Sequence, residues 1–361
     1  MSGTSLDGLD IACCTFSRED EKWSHVIQAS ACIAYTPDWK QRLQSAPGLP
    51  GPELIALHRE YGSYLGMQVD AFVKEHNLTV ALVASHGHTI LHRPEQSMTF
   101  QAGDGACISA VCGLPVVSDF RSMDIAAGGQ GAPLVPIGDM LLFGEYELCL
   151  NLGGIANISV NEKGRRYAWD ISPCNLMLNA LSQEAGMDYD EGGKLAATGS
   201  IIPELLEKLD DWKYYKLPPP KSLDKDSLLS ELLPVINNSD ASAADNLATV
   251  CLHIAKQVHK AVRETKSSNA RILVTGGGAY NTHLISEFRK ASGMNFIIPD
   301  RDTIDYKEAL VFAFLGLLRM LNRPNALAAS TGAAYDSIGG ALHGDFSEWR
   351  GWGTVNENQV L

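Results

Sequence analysis

Residues 147–172 constrain the fold more than any other stretch. Two short apolar runs, at 148–152 and 155–160, flank the pair Gly153 and Gly154, which reads as strand, tight turn and returning strand. After the polar turn at 161–164 the chain extends again from Arg165 to Ile171, and Asp170 stands at the end of that strand. Glycines leave backbone N–H groups open to an approaching phosphate. A carboxylate at a strand's end is where an open α/β sheet carries its reactive groups. Together they point to phosphoryl transfer, although a Gly-Gly hairpin alone is only a turn and a strand-end Asp alone only a cap.

The pattern recurs. Residues 2–8, Ser-Gly-Thr-Ser-Leu-Asp-Gly, form a polar loop that runs into an apolar strand at 9–16, and an apolar strand at 271–275 runs into Gly276, Gly277 and Gly278. No P-loop with its lysine and no dinucleotide fingerprint occurs. Phosphates are therefore expected on the amides and hydroxyls of Gly3, Thr4 and Ser5 and on Gly153 and Gly154. The whole loop Gly3 to Asp10, with Leu6, Gly8 and Leu9, lies on the nucleotide side. Asp7 and Asp10 are placed to hold Mg2+ through water, as hard oxygen ligands do. Gly276 to Gly278 give close backbone approach to adenosine.

Length and composition narrow the class. A chain of 361 residues suits two lobes with a cleft between them. A net charge of -13 with no basic cluster argues against a nucleic-acid partner, and no run of eighteen apolar residues offers a membrane span. The eight cysteines contain no Cys-x-x-Cys pair and sit mostly in apolar runs, the pattern of reduced thiols in a cytoplasmic protein. Nothing at the N-terminus resembles a signal peptide.

In chain order, a hairpin is expected over 9–33. A helix from Pro52 carries Leu54, Leu57, Tyr61, Leu65, Val69 and Phe72 on one stripe. Strands at 80–84 and 114–117 end in Ser85-His86-Gly87-His88 and Ser118-Asp119-Phe120-Arg121. Helices are expected at 175–185, 246–266 and 306–322, with Glu308 in the first turn of the last, where it could merely favour the helix dipole. The Gly- and Pro-rich stretch 126–136 reads as the crossing between lobes. The domains are then 1–134, joined by a returning segment 325–361, and 135–324. The proline run 218–220 with Lys221 and Ser222 reads as an exposed connection. His86, His88 and His92 do not match a closed zinc set, so hydrogen-bonding roles are expected, with His86 as a substrate contact.

These motifs resemble the anhydro-N-acetylmuramic acid kinases of the sugar kinase/heat-shock/actin superfamily. The resemblance runs through Met-Ser-Gly-Thr-Ser-Leu-Asp-Gly at 1–8, Ser-His-Gly at 85–87, Asp-Phe-Arg at 119–121, Ala-Gly-Gly-Gln-Gly-Ala-Pro at 127–133, Asn-Leu-Gly-Gly-Ile-Ala-Asn at 151–157, Pro-Pro-Pro-Lys-Ser at 218–222, Gly-Gly-Gly-Ala-Tyr-Asn at 276–281 and Glu308-Ala309. It implies a two-lobed, actin-like ATPase (ribonuclease H-like) α/β fold with an interlobe active-site cleft. It also implies a homodimer that uses ATP and Mg2+ on the 1,6-anhydro amino sugar of peptidoglycan recycling and yields N-acetylmuramate 6-phosphate. Such a sugar has no free 6-hydroxyl, so water must attack C1 while the bridging oxygen attacks phosphorus. Asp170 is the expected base, and His86, Asp119, Arg121 and Glu308 are sugar contacts by resemblance. A kinase for another anhydro sugar such as levoglucosan, and a silent sugar or nucleotide sensor, are the competing readings.

Two departures stand out. Where the family writes Asp-Thr-Gly-Pro-Gly-Asn, this chain has Asp170, Ile171, Ser172, Pro173, Cys174 and Asn175, an altered loop expected near the sugar. The family also carries a short strand before the phosphate loop. Here the first hairpin is expected to lack a partner and the loop an anchor, with the true start codon upstream, which intact-mass analysis from the native host tests.

Overall fold

The alternation after Gly8 folds as a hairpin, with β1 (Gly8–Glu19) antiparallel to β2 (Lys22–Ala34). Asp20 and Glu21 make the turn at positive φ, 44° and 68°, the hand that suits the twist of two strands. A computed structural model describes the protein except residues 4–5, 163, 220, 224–227, 266–269, 348, 350–358 and 361 and the side chains of 229, 359 and 360. The chain forms one unit from Met1–Phe143 with Tyr306–Leu361 and a second from Gly144–Asp305.

In the first unit, α1 (Pro37–Ser45) starts where the Thr36 hydroxyl accepts the Trp39 N–H, a helix the sequence reading did not single out. The expected stripe forms α2 (Gly51–Glu75), with Leu57, Tyr61, Leu65 and Phe72 buried. Strands β3 (Val83–Ser85), β4 (His88–Arg93) and β5 (Met98–Ala102), α3 (Gly105–Cys112) and β6 (Val116–Ser118) follow. β3 and β6 begin later than expected because their parallel pairing starts only past Pro115, which has no N–H to give. Short helices α4 (Ser122–Ala126) and α5 (Val135–Leu141) complete this part of the unit.

The stretch 126–136 is not the crossing. It stays in the first unit, where Gly131 N–H donates to the buried Asp124 carboxylate at 2.8 Å, and the chain leaves only after Phe143. Ser2 bridges both Leu9 and His88, and the Asp10 N–H donates to the Met1 carbonyl at 2.9 Å. The loop therefore has an anchor, contrary to expectation. A cavity of about 90 Å3 lies beside it, lined by Leu9, Ile11, Cys13, Val83 and Ser85 among others.

The second unit is built on β7 (Leu148–Leu152), β8 (Ile155–Glu162) and β9 (Arg165–Pro173), the predicted meander around the Gly153–Gly154 turn. Helices α6 (Asn175–Glu184), α7 (Pro203–Asp210), α8 (Leu233–Asn237) and α9 (Ala243–Glu264) come next, then β10 (Arg271–Thr275), α10 (Thr282–Ser292) and β11 (Asn295–Ile297). The sheet order is β11-β10-β7-β8-β9, with only β8 antiparallel to its neighbours. Renumbered within the unit this is 3-2-1-4-5, the ribonuclease H-like order. Leu247, Val250, Ile254 and Val258 of α9 are all buried against the sheet, as their spacing requires.

The last long helix, α11 (Arg301–Met320), starts five residues before the expected Tyr306 because the Asp300 carboxylate accepts the Thr303 N–H at 2.9 Å. Glu308 is thus inside the helix rather than in its first turn, and the dipole explanation for it falls. From Tyr306 the helix belongs to the first unit, with Phe314 against Phe16 and Trp23 at ring separations of 5.2 and 5.1 Å. The unit boundaries, 143/144 and 305/306, replace the expected 134/135 and 324/325. Packing explains the shift: a Cβ at Gly138 of α5 would stand 2.5 Å from Val311 of α11, so both helices share one core. The returning segment carries α12 (Ala328–Thr331) and β12 (Ala341–His343) on β6, and β13 (Gln359–Val360) pairs with β1 at Phe16 and Thr15.

Candidate active site

The sequence-predicted residues gather in two groups, one in each unit. In the second, β7, β9 and β10 run parallel, and Gly153, Gly154 and Gly276 to Gly278 lie just beyond the carboxyl ends of β7 and β10. Asp170 does not end its strand as expected: β9 stays paired with β8 past it to Pro173, so Asp170 stands inside β9, opposite Asn157. Gly276 has φ of +80°, and a Cβ there would stand 2.6 Å from Asn151 Oδ1. Only glycine lets the loop after β10 lie on the end of β7. Asn175 Nδ2 closes the same corner by donating to the Leu152 carbonyl at 2.9 Å. Gly154 and Gly277 are exposed, while the Gly153 carbonyl accepts the Asn175 N–H at 3.2 Å.

Asp170 is partly buried, and desolvation pushes its carboxyl up to about 6 even though the Leu223 N–H donates to Oδ2 at 2.8 Å. Its own N–H donates to the Lys221 carbonyl at 2.9 Å, and the Tyr214 hydroxyl donates to its carbonyl at 2.7 Å. Lys221 and Leu223 thus add an edge to β9, whereas the sequence read this stretch as an exposed connection; Pro220 lies outside the described residues. The departing residues Ile171, Ser172 and Cys174 are all buried, so the altered segment is filled from the core of its own unit.

In the first unit, Arg121 organises the site. Its Nε donates to His86 Nε2 at 2.9 Å and its Nη1 to the Gly131 carbonyl at 2.6 Å. Because His86 Nε2 accepts, Nδ1 carries the hydrogen, which it gives to the Gly87 carbonyl at 3.0 Å. Burial and the Arg121 charge hold His86 well below the usual histidine range, so the ring is neutral. Burial also lowers Arg121, and Glu308 and Asp124 pull it back. Glu308 is open to solvent, yet desolvation and the nearby Asp10 raise its carboxyl, opposed by Arg121 and Lys307. Asp119 is exposed at φ 56°, a strained setting for a non-glycine residue, and its Oδ1 accepts the Ser122 hydroxyl at 2.6 Å at the start of α4.

The loop before β1 divides. Gly3 accepts the Leu6 N–H through its carbonyl at 3.3 Å, Asp7 is exposed, and Asp10 is close enough to Glu308 to raise it. Gly8 and Leu9 serve the core instead: a Cβ at Gly8 would stand 2.7 Å from the Ile33 carbonyl, and Leu9 packs with Tyr35 and Leu57. Thr4 and Ser5 lie outside the described residues. His88 and His92 take hydrogen-bonding roles, Nδ1 of each meeting the Ser2 and Thr99 hydroxyls at 2.9 and 3.2 Å. Among the described residues no group of three or more His, Cys, Asp or Glu forms a metal cage. Sequence reasoning missed Tyr214 and Leu223 and gave Asn151 no role, although Asn151 opens the motif at 151–157. Leu223 carried a signal in its adjacency to the proline run.

The profile of the family described as anhydro-N-acetylmuramic acid kinase matches residues 1–344. Proteins of that name are similar along almost their whole length. The one from Paramagnetospirillum magneticum is 33% identical over 356 residues, covering 95% of this chain and 98% of its own. The one from Synechococcus elongatus is 34% identical over 372 aligned residues, covering 96% and 97%. That from Acinetobacter baylyi is 31% identical with coverage of 95% and 97%. With the profile spanning both units and the relatives end to end, this chain belongs to the anhydro-N-acetylmuramic acid kinase family.

Proposed function

We infer that this protein is an ATP-dependent kinase that phosphorylates 1,6-anhydro-N-acetylmuramic acid with hydrolytic opening of the anhydro ring, giving N-acetylmuramate 6-phosphate in peptidoglycan recycling. The observation that carries the reading is Asp170, a carboxylate in the carboxyl-terminal half of β9 with Oδ2 fixed by a backbone N–H and a pKa pushed up to about 6 by burial. The reaction needs such a base. Water bonds to C1, its proton goes to Asp170, the bond from C1 to the bridging oxygen breaks, and that oxygen, left on C6, bonds to the γ-phosphorus as the bond to ADP breaks.

Gly153, Gly154 and Gly276 to Gly278 are the proposed nucleotide contacts, supported by the solvent exposure of Gly154 and Gly277. His86, Asp119, Arg121 and Glu308 are the proposed sugar contacts, with neutral His86 held by Arg121. Mg2+ usually keeps several waters and takes only one or two carboxylates beside the phosphates. Asp10, with Glu308 nearby, fits that mode better than the exposed Asp7, and the ion would neutralise phosphate charge. A cytoplasmic homodimer completes the proposal; eight unpaired thiols support a reducing compartment, and the dimer rests on the family resemblance.

The test is ADP release from ATP and Mg2+ with 1,6-anhydro-N-acetylmuramate, beside levoglucosan and a no-sugar control. Turnover with the muramate derivative alone is expected. Equal turnover with levoglucosan would move the substrate assignment, and silence with intact nucleotide binding would make the protein a sensor.

A further inference from the structure

A buried polar chain in the second unit has no part in the chemistry above. It begins at Asp210, the last residue of α7, whose Oδ1 lies 2.7 Å from His253 Nδ1 on α9. His253 Nε2 lies 2.8 Å from the Tyr215 hydroxyl, and that hydroxyl 3.0 Å from Ser172 Oγ on β9. His253 and Ser172 have no solvent exposure, and Tyr215 has only 4%. The chain has one sense of donation. Burial keeps His253 below its usual range and Tyr215 above it, so the imidazole is neutral and the phenol protonated. Burial works to raise Asp210, but the bonds from His253 and Lys256 leave it below the usual carboxylate range. A carboxylate only accepts, so Nδ1–H donates to Asp210, Nε2 accepts from Tyr215, and the Tyr215 oxygen faces the Ser172 hydroxyl, whose hydrogen is shared with the Pro173 carbonyl at 3.0 Å.

Tyr215 follows Tyr214 on one turn, Lys213–Lys216, and Tyr214 donates to the Asp170 carbonyl. Consecutive tyrosines therefore grip β9 at residues 170 and 172, on both sides of Ile171. Phe and Leu would fill the same space without desolvating polar groups. A fully paired polar chain instead admits a single arrangement of its members.

We propose that Tyr215, held by His253 and Asp210, is a positioning residue that sets the end of β9 through Ser172 and so aims the Asp170 carboxylate. This rests on the reading of Asp170 as the base.

The test uses the full chain and four variants: Tyr215→Phe, Ser172→Ala, their combination, and Asp170→Asn. It reads kcat, both KM values, the pH profile of kcat and the melting temperature, with ATP and 1,6-anhydro-N-acetylmuramate as substrates. Tyr215→Phe should lower kcat at least about tenfold, leave both KM values within about twofold, and shift the acid limb of the profile. Ser172→Ala should do the same, and the double variant should lose no more than the worse single, as members of one network do. Wild-type kcat and an unmoved acid limb in Tyr215→Phe, with Asp170→Asn inactive, would make the chain mere packing and overturn the proposal. So would losses that multiply in the double variant. Turnover by Asp170→Asn would overturn the base itself, and this proposal with it.

Discussion

Asp170 carries two opposed effects. As a base it must be ionised, so kcat should rise with pH through a midpoint near 6. Asp170→Asn should lose turnover by at least about a thousandfold while ATP binding, followed by calorimetry, stays within about threefold. Stability runs the other way. The folded carboxyl titrates near 6 and an unfolded one near 3.8, so between those values the native state holds a proton that the unfolded chain has released. Stability from this group therefore falls as pH rises from 3.8 to 6 and stays low above. At about 1.4 kcal/mol per unit the loss is at most about 3 kcal/mol. Asp170→Asn should be more stable than wild type above pH 6, the gap closing toward pH 4, in urea titrations of both proteins. A gap independent of pH would show that burial does not perturb this carboxyl. At Arg121, a lysine cannot reach both His86 and the Gly131 carbonyl from one rigid fork. Arg121→Lys should therefore raise the KM for the sugar by about tenfold or more with the KM for ATP unchanged; equal increases in both would remove Arg121 from the sugar side.

The crossing of α2 and α3 depends on two small residues. A Cβ at Gly62 would stand 2.6 Å from the Asp104 carbonyl, and one at Gly66 2.8 Å from the Ile108 carbonyl, both unyielding backbone. Gly62→Ala should cost about 1–3 kcal/mol by forcing the helices apart, while Gly48→Ala, where a Cβ meets nothing within 4 Å, serves as the neutral comparison. Urea midpoints of the two variants decide it; equal midpoints would mean that the crossing relaxes freely. The sequence announced α2 and α9 through stripes that repeat every three or four residues, and the β7–β8 turn through its paired glycines. These are local signals. The three-residue strand β12 is too short to show a period, and it exists only because it pairs with β6, His343 lying opposite Val116. The site divides the same way. Glycine loops and the Asp170 carboxylate were visible, but β9 runs past Asp170 to Pro173, and Leu223 holding Asp170 joins residues 53 apart, which no spacing encodes.

The whole molecule is built on two crossings of the chain, after Phe143 and within α11. On the first unit's side of both lies one buried ion pair. Lys307 Nζ, just past the return, stands 2.6 Å from Asp139 Oδ1, just before the exit, with side-chain exposures of 8% and 5%. The same ammonium lies 5.3 Å from the centre of the Phe143 ring. The pair thus joins the point where the chain leaves the unit to the point where it comes back. A stretch rich in Gly and Pro looks like a crossing in sequence, yet here the exit is tied by charge and the return is a continuous helix. Lys307→Met should cost about 3–5 kcal/mol because it takes the ammonium away from a buried carboxylate. Lys307→Met with Asp139→Asn should regain most of that loss, since both charges of the pair are then removed together. Urea unfolding of wild type, both singles and the double closes the cycle. A double variant as unstable as Lys307→Met alone would mean that the lysine stem packing on Phe143, and not the charge pair, joins the exit to the return.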